Sequence, residues 1–324
     1  QVIDRSQEFI ADAAADGEHW FQFVNLMDAH LPYHPPEEHR EEFAPGVDST
    51  TVCQNSKEYN SGARDISDDE WDDIRGLYDA EIRHIDSELT RLFDWLKAEG
   101  HWEDTLVVVC ADHGELFGEH GLYGHEFGIY DPLVNVPCMV KHPELEPGRY
   151  DEQFELLDLY HTVLDHAGVE SAADDGVDLD PTRSLLDDDH RDREQGEYAF
   201  VEYSRPVVEL KQLEGKAADA GITLDEQSRF YSRMRAARRT DGKYIRNERI
   251  PDEFYRVDAD PGETDDLHGE GDPVESEVEA ALTDFEDRVA HEWDGDWSTD
   301  DGDGELDQMS DTAKERLQDL GYME

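Results

Sequence analysis

Residues 105 to 125, TLVVVCADHGELFGEHGLYGH, place Asp112 and His113 directly after an apolar run and then scatter Glu115, Glu119, His120 and His125 through a glycine-punctuated loop. A carboxylate next to an imidazole suits a divalent cation, although two ligands do not name the ion. The same residues also fit a bland role, Asp112 as a helix cap and His113 as a satisfied loop histidine. A second stretch repeats the arrangement. Trp20 to Met27, WFQFVNLM, is another apolar run, and it ends in Asp28-Ala29-His30.

The elements that must position these groups are readable. Leu106 to Cys110 is too short for a helix and rich in β-formers, which predicts a buried parallel strand with its ligands past the carboxyl end. Trp20 to Met27 is expected as a second such strand, and right-handed crossovers would bring both carboxyl ends to one sheet edge. The crossover helix begins at Ser67-Asp68-Asp69-Glu70, a capping-box pattern. It continues through Ile74, Leu77, Tyr78, Ile82, Ile85, Leu89, Leu92, Phe93 and Leu96, which step by threes and fours along one face, and ends at Gly100. Val136 to Val140 is a third strand candidate, and Lys141 and His142 after it read as a solvated strand end.

Beyond residue 141 the pattern changes. Phe154 to Ala167 is an amphipathic helix, Ala172 to Asp192 an acidic loop and Tyr198 to Tyr203 a strand, while Leu210 to Gln227 is polar and hard to place. Arg229 to Ile245 reads as a hairpin turning at Thr240-Asp241-Gly242, and Phe254 to Val257 as a further strand. Trp293 to Glu305 is expected as an acidic linker, and Thr312 to Leu320 as a terminal helix.

Composition bounds partners and setting. The chain has 324 residues, with 84 acids against 28 Lys plus Arg and a formal charge of -56. The excess runs along the whole length, which points to adaptation to molar salt and a halophilic archaeal source rather than to a local acidic tail. A broad acidic surface for cationic partners is the other reading. Nucleic acid is excluded for want of a basic stripe. Cys110 and Cys138 lie in strand runs and are expected as buried thiols, with Cys53 in a polar loop; no spacing suggests a disulfide or zinc framework. No apolar run is long enough to cross a bilayer and none reads as a signal peptide, which favours the cytoplasm. The chain opens on Gln1 inside a helical pattern, as a segment of something longer or processed would.

Several segments, in order, resemble the sulfatases of the alkaline phosphatase superfamily: MDAHLPYHPP at 27 to 36, YDAEIRHIDSELTRLFDWL at 78 to 96, ADHGELFGEHGLYGH at 111 to 125 and VNVPCMVKHP at 134 to 143. FELLDLYHTVLDHAGV at 154 to 169, AARRTDGKYI at 236 to 245, FYRVDADPGETDDL at 254 to 267 and the closing LGYME continue the match. The resemblance implies an α/β fold, an alkaline-phosphatase-like parallel sheet flanked by helices with a small C-terminal antiparallel sheet subdomain. The divisions it suggests are a partial core over 1–190, the antiparallel subdomain over 191–268, and a linker with a terminal helix over 269–324.

It also implies hydrolysis of sulfate monoesters, on small molecules or glycans, by a formylglycine nucleophile held on a divalent metal. Calcium is the usual ion, with magnesium and manganese as the other candidates. By position, Asp112 and His113 resemble the later pair of metal ligands, although the family often has Asn or Gln at the second. His30 resembles the histidine that contacts the sulfate, and His125 falls near a lysine with that role. The family's early acidic ligands and its Cys/Ser-x-Pro-x-Arg nucleophile motif have no counterpart here, since no Cys or Ser of the chain is followed by x-Pro-x-Arg. The expectation is a C-terminal two thirds of a sulfatase that needs its N-terminal segment as partner and does not turn over substrate alone. A phosphoester hydrolase or phosphoglycerol-type transferase of the same superfamily, and a non-catalytic binding protein, are the alternatives.

Overall fold

The structure is a computed structural model, and it describes residues 1–143, 145–150, 153–169, 179–187 and 198–289. The expected acidic linker and terminal helix lie outside these residues.

Two helices frame the N-terminal part. Helix α1 (Val2–Asp16) lays Ile3 and Ile10 against Leu92 and Leu96 of the long α4 (Asp68–Ala98), and Trp20, Leu26 and Phe93 close the cluster. The expected cap of α4 is present in part: the Ser67 side chain accepts the backbone N–H of Glu70. Between them, α2 (Glu37–Phe43) packs on α4, and α3 (Ser56–Asn60) is capped by Asn55. A second cluster of Tyr33, Cys53, Trp71, Leu77, Phe117 and Tyr123 joins these helices to the loop after β1. Cys53, in a stretch that reads as polar, is therefore buried.

The strand that carries Asp112 differs from its sequence expectation. β1 (Val107–Cys110) pairs antiparallel with β4 (Cys138–Lys141) and is half-buried rather than enclosed, because its described partners cover one edge only. Cys110 and Cys138 face each other across this register, the first exposed and the second half-buried, so neither is the fully buried thiol expected. Trp20 to Met27 forms no ladder among the described residues. Its side chains still alternate in exposure as a strand's do, with Phe21 69% and Phe23 82% exposed. Lys141 is more than a solvated strand end. Its ammonium donates to the carbonyls of Trp102, Glu103 and Thr105 and so ties β4 to the loop between α4 and β1.

After β1, the short pair β2 (Leu116–Phe117) and β3 (Tyr123–Gly124) shapes the glycine-rich loop, and α5 (Asp131–Val134) follows. Helix α6 (Leu156–His166) is closed by a capping box between Glu155 and Asp158. The C-terminal sheet is antiparallel, in the order β5 (Ala199–Tyr203), β6 (Met234–Arg238), β7 (Lys243–Asn247), β8 (Glu253–Tyr255). The expected hairpin at 240–242 is the β6–β7 turn.

Period-two alternation gives this sheet two buried faces. Met234, Ala236 and Ile245 pack on Phe127 and Leu133 of the glycine-rich loop and its following turn, and on Leu210 and Leu213 of α7 (Val207–Asp219). Ala237, Tyr244 and Phe254 face Val278 and Leu282 of α8 (Pro273–Val289). Neither helix was legible: α7 lies in the stretch that was hard to place, and α8 in the stretch read as linker.

Candidate active site

Three histidines, His30 from one part of the chain and His113 and His125 from another, meet beyond the end of β1. His113 stacks on His125 with ring centroids 4.1 Å apart, and His30 lies 5.2 Å from His125. Each ring is fixed by the same kind of contact. Nδ1 of His30 is 2.6 Å from the carbonyl of Leu31, Nδ1 of His113 is 2.9 Å from the carbonyl of Gly114, and Nδ1 of His125 is 3.0 Å from Oε1 of Glu115. Carbonyl and carboxylate oxygens accept only, so each Nδ1 carries the hydrogen, and Nε2 is the nitrogen left for other work.

Backbone geometry sets the placement. Gly114 packs so closely against α5 that a Cβ there would sit 2.0 Å from the Pro132 carbonyl oxygen. Its N–H donates to Leu133 O at 2.8 Å, which pins the turn carrying Asp112 and His113 to that helix. Asp112 is 84% exposed and close to His113, with 3.9 Å from Oδ1 to Nε2. Among the described residues no cluster of three or more His, Cys, Asp or Glu side chains is arranged to hold a metal ion. Asp112 and His113 thus offer two donors, a solvent-facing carboxylate and an imidazole Nε2 whose tautomer is already set, which fits part of a divalent-cation shell.

Behind the histidines runs a buried relay that sequence reasoning did not assign. Glu115, its side chain 3% exposed, takes the His125 N–H on one oxygen and the Tyr33 hydroxyl on the other at 2.9 Å. Burial pulls the His125 pKa down, but the hydrogen bond and charge of Glu115, with the charge of Glu126, outweigh it and hold the pKa above the usual range. Tyr33 is fully buried, and desolvation together with the Glu115 charge pushes its pKa far up, so it stays a hydroxyl donor. A signal for this relay existed in the Asp112-His113-x-Glu115 spacing and in Tyr33 three residues after His30. The pairing across 82 positions did not.

Of the four residues singled out in the sequence, three come together and the fourth lies beside them. His30, His113 and His125 are in ring contact, and Asp112 stands at the rim of the groove that Asp112, His113 and His125 line together. The loop's remaining acid and histidine, Glu119 and His120, turn elsewhere. Glu119 accepts the N–H of Phe117 and pairs with Arg75, and the His120 ring lies flat on Tyr130, 3.5 Å between centroids.

A family model described as Sulfatase matches residues 1–169, more than half of the chain. The chain belongs to the sulfatase family. Choline-sulfatase of Rhizobium meliloti is 28% identical over 235 residues, covering 71% of this chain and 40% of that protein. Among solved structures, yidJ from Bacteroides fragilis superposes with a TM-score of 0.65 at 15% identity, over 89% of this chain and 58% of that one. The phosphonate monoester hydrolase SpPMH from Silicibacter pomeroyi gives 0.60 at 20% identity, over 90% and 59%. These likenesses show the fold, which is α/β and alkaline-phosphatase-like with a small antiparallel sheet. The chain spans between about two fifths and three fifths of the length of these relatives.

Proposed function

We propose that this chain carries the cation-facing and oxyanion-facing part of a hydrolytic site for sulfate monoesters. Asp112 and Nε2 of His113 would hold a divalent cation. The carboxylate suits calcium, magnesium or manganese, and the imidazole favours the transition ion among the three. Once bound, such a cation stabilises charge on the oxygens of the transferred group. His30 and His125 would present Nε2 to the same oxyanion, where a protonated ring donates a hydrogen bond and a neutral one accepts. The observation that carries the reading is the common arrangement of three adjoining imidazoles, each with Nδ1 engaged from behind.

Without a Cys or Ser that opens an x-Pro-x-Arg motif, the reading includes no turnover by these 324 residues alone. The likeness to SpPMH makes phosphonate and phosphate monoesters the alternative substrate class. The test is an assay of the chain together with whatever sequence is encoded ahead of Gln1, on aryl sulfate, aryl phosphate and aryl phosphonate monoesters. Sulfate hydrolysis lost on Asp112→Ala and His30→Ala is the expected outcome. Hydrolysis of the phosphorus esters alone would transfer the reading to the alternative, and no hydrolysis of any would overturn both.

A further inference from the structure

The turn that carries His30 is held from outside the site by one carboxylate. Glu81 lies on α4, 4% exposed, and points its two oxygens at two backbone amides of that turn. Oε2 accepts the N–H of Ala29 at 3.1 Å, and Oε1 accepts the N–H of His34 at 2.5 Å. Between these anchors the chain makes a shape it would not keep unaided. Ala29 has a φ of 53°, in the left-handed region that costs a non-glycine residue energy, so it persists only where surrounding contacts impose it. Gln54 grips the middle of the turn, accepting from Tyr33 N and donating to Tyr33 O.

The turn delivers two side chains. His30 reaches the imidazole cluster directly. Tyr33 reaches it through Glu115, whose other oxygen orients His125. We propose that Glu81 is a positioning residue which, by gripping the amides of Ala29 and His34, sets the placement of His30 and, through Tyr33 and Glu115, of His125. This rests on the reading of those two histidines as site residues, but the grip itself is independent of it. Burial, with the charge of Asp28 adding, pushes the Glu81 carboxyl up to about 7 against the pull of the two N–H bonds. A carboxylate kept there at such a desolvation cost is consistent with a role in holding the turn.

The experiment uses the full chain and needs no substrate or metal: amide hydrogen exchange and histidine-ring NMR on the wild type, Glu81→Gln and Glu81→Ala. The wild type should protect the amides of Ala29 and His34. In Glu81→Ala both should exchange at least tenfold faster, and the ring signals of His30 and His125 should move, while amides of β6 and β7 stay protected. Gln offers one acceptor oxygen, so Glu81→Gln, the variant closest in shape, should release one of the two amides and keep the other. Unchanged protection at both amides in both variants would overturn the proposal. Faster exchange with unmoved His30 and His125 rings would also overturn it, by reducing Glu81 to a loop anchor. Either outcome would leave the assay of the site's chemistry to stand or fall separately.

Discussion

The antiparallel sheet and the imidazole cluster are stabilised in opposite ways. β5–β8 is covered on both faces, by α8 on one side and by α7 with the glycine-rich loop on the other. At its join to α5 sits a fully buried ion group. Lys243 lies 3.0 Å from Asp131 and 2.8 Å from Glu263, the latter close but off the hydrogen-bonding angle, and Arg238 also grips Asp131. Burial opposes ionisation of Asp131, yet Lys243 and Arg238 hold its carboxyl below the usual range. The imidazole end instead combines a two-stranded pair, an extended segment with exposed phenylalanines, and three histidine rings each orientated by one hydrogen bond. Two strands alone are marginal in water. In this chain, then, the sheet region is rigid by packing, and the site is ordered by a few polar anchors that individual substitutions can release.

The largest expected effect lies in the rigid half. Lys243→Met removes the cation 2.8 Å from a Glu263 that is 1% exposed, leaving a buried charge uncompensated. Breaking such a group from one side costs roughly 3–5 kcal/mol, so chemical denaturation should show the whole sheet region losing stability. A loss below about 1 kcal/mol, the range of exposed pairs, would erase the contrast between the two regions.

Next comes a pH effect in the polar half. Glu81 has a folded pKa of about 7 against an ordinary 4.5. A raised carboxyl binds its proton more tightly in the fold. Its contribution is therefore fully present below pH 4.5 and is lost as pH rises through 7, on the order of 3 kcal/mol. Denaturation midpoints should fall between pH 5 and 8 more steeply in the wild type than in Glu81→Gln. Equal slopes would mean that Glu81 ionises as freely as a surface carboxylate.

A smaller effect is expected from Gly114→Ala, whose new Cβ would meet the Pro132 carbonyl oxygen at 2.0 Å. Overpacking of this kind costs about 1–3 kcal/mol. The displacement should appear as shifted ring signals of His113, with β6 and β7 unaffected.

What was legible in the sequence follows from how local each signal is. The α4 periodicity and the Thr240-Asp241-Gly242 turn are written in neighbouring residues, and both elements are where they were expected. Asp112, His113, His30 and His125 stand in short motifs, and the three imidazole rings meet. The Glu81 grip and the Tyr33–Glu115–His125 relay join positions 47 to 82 residues apart in sequence, apart from the local Glu115–His125 step. No pattern of residue types announces which distant acceptor a given amide or hydroxyl will find. Trp20 to Met27 shows the converse: its alternation is strand-like, but a ladder also needs a partner edge. β1 was correctly placed and wrongly oriented for the same reason, since a run of Val specifies an extended chain and leaves open which neighbour it pairs with.

The central claim, that Asp112 and His113 form the cation-facing part of the site beside His30 and His125, is tested most directly with manganese. Paramagnetic broadening of histidine-ring NMR signals, recorded in concentrated KCl to suppress diffuse binding by the acidic surface, reads distance to the ion. The expected result is selective broadening of His113 first, then His125 and His30, abolished in Asp112→Asn. Broadening spread evenly over the histidines of the chain, or unchanged by that substitution, would contradict it.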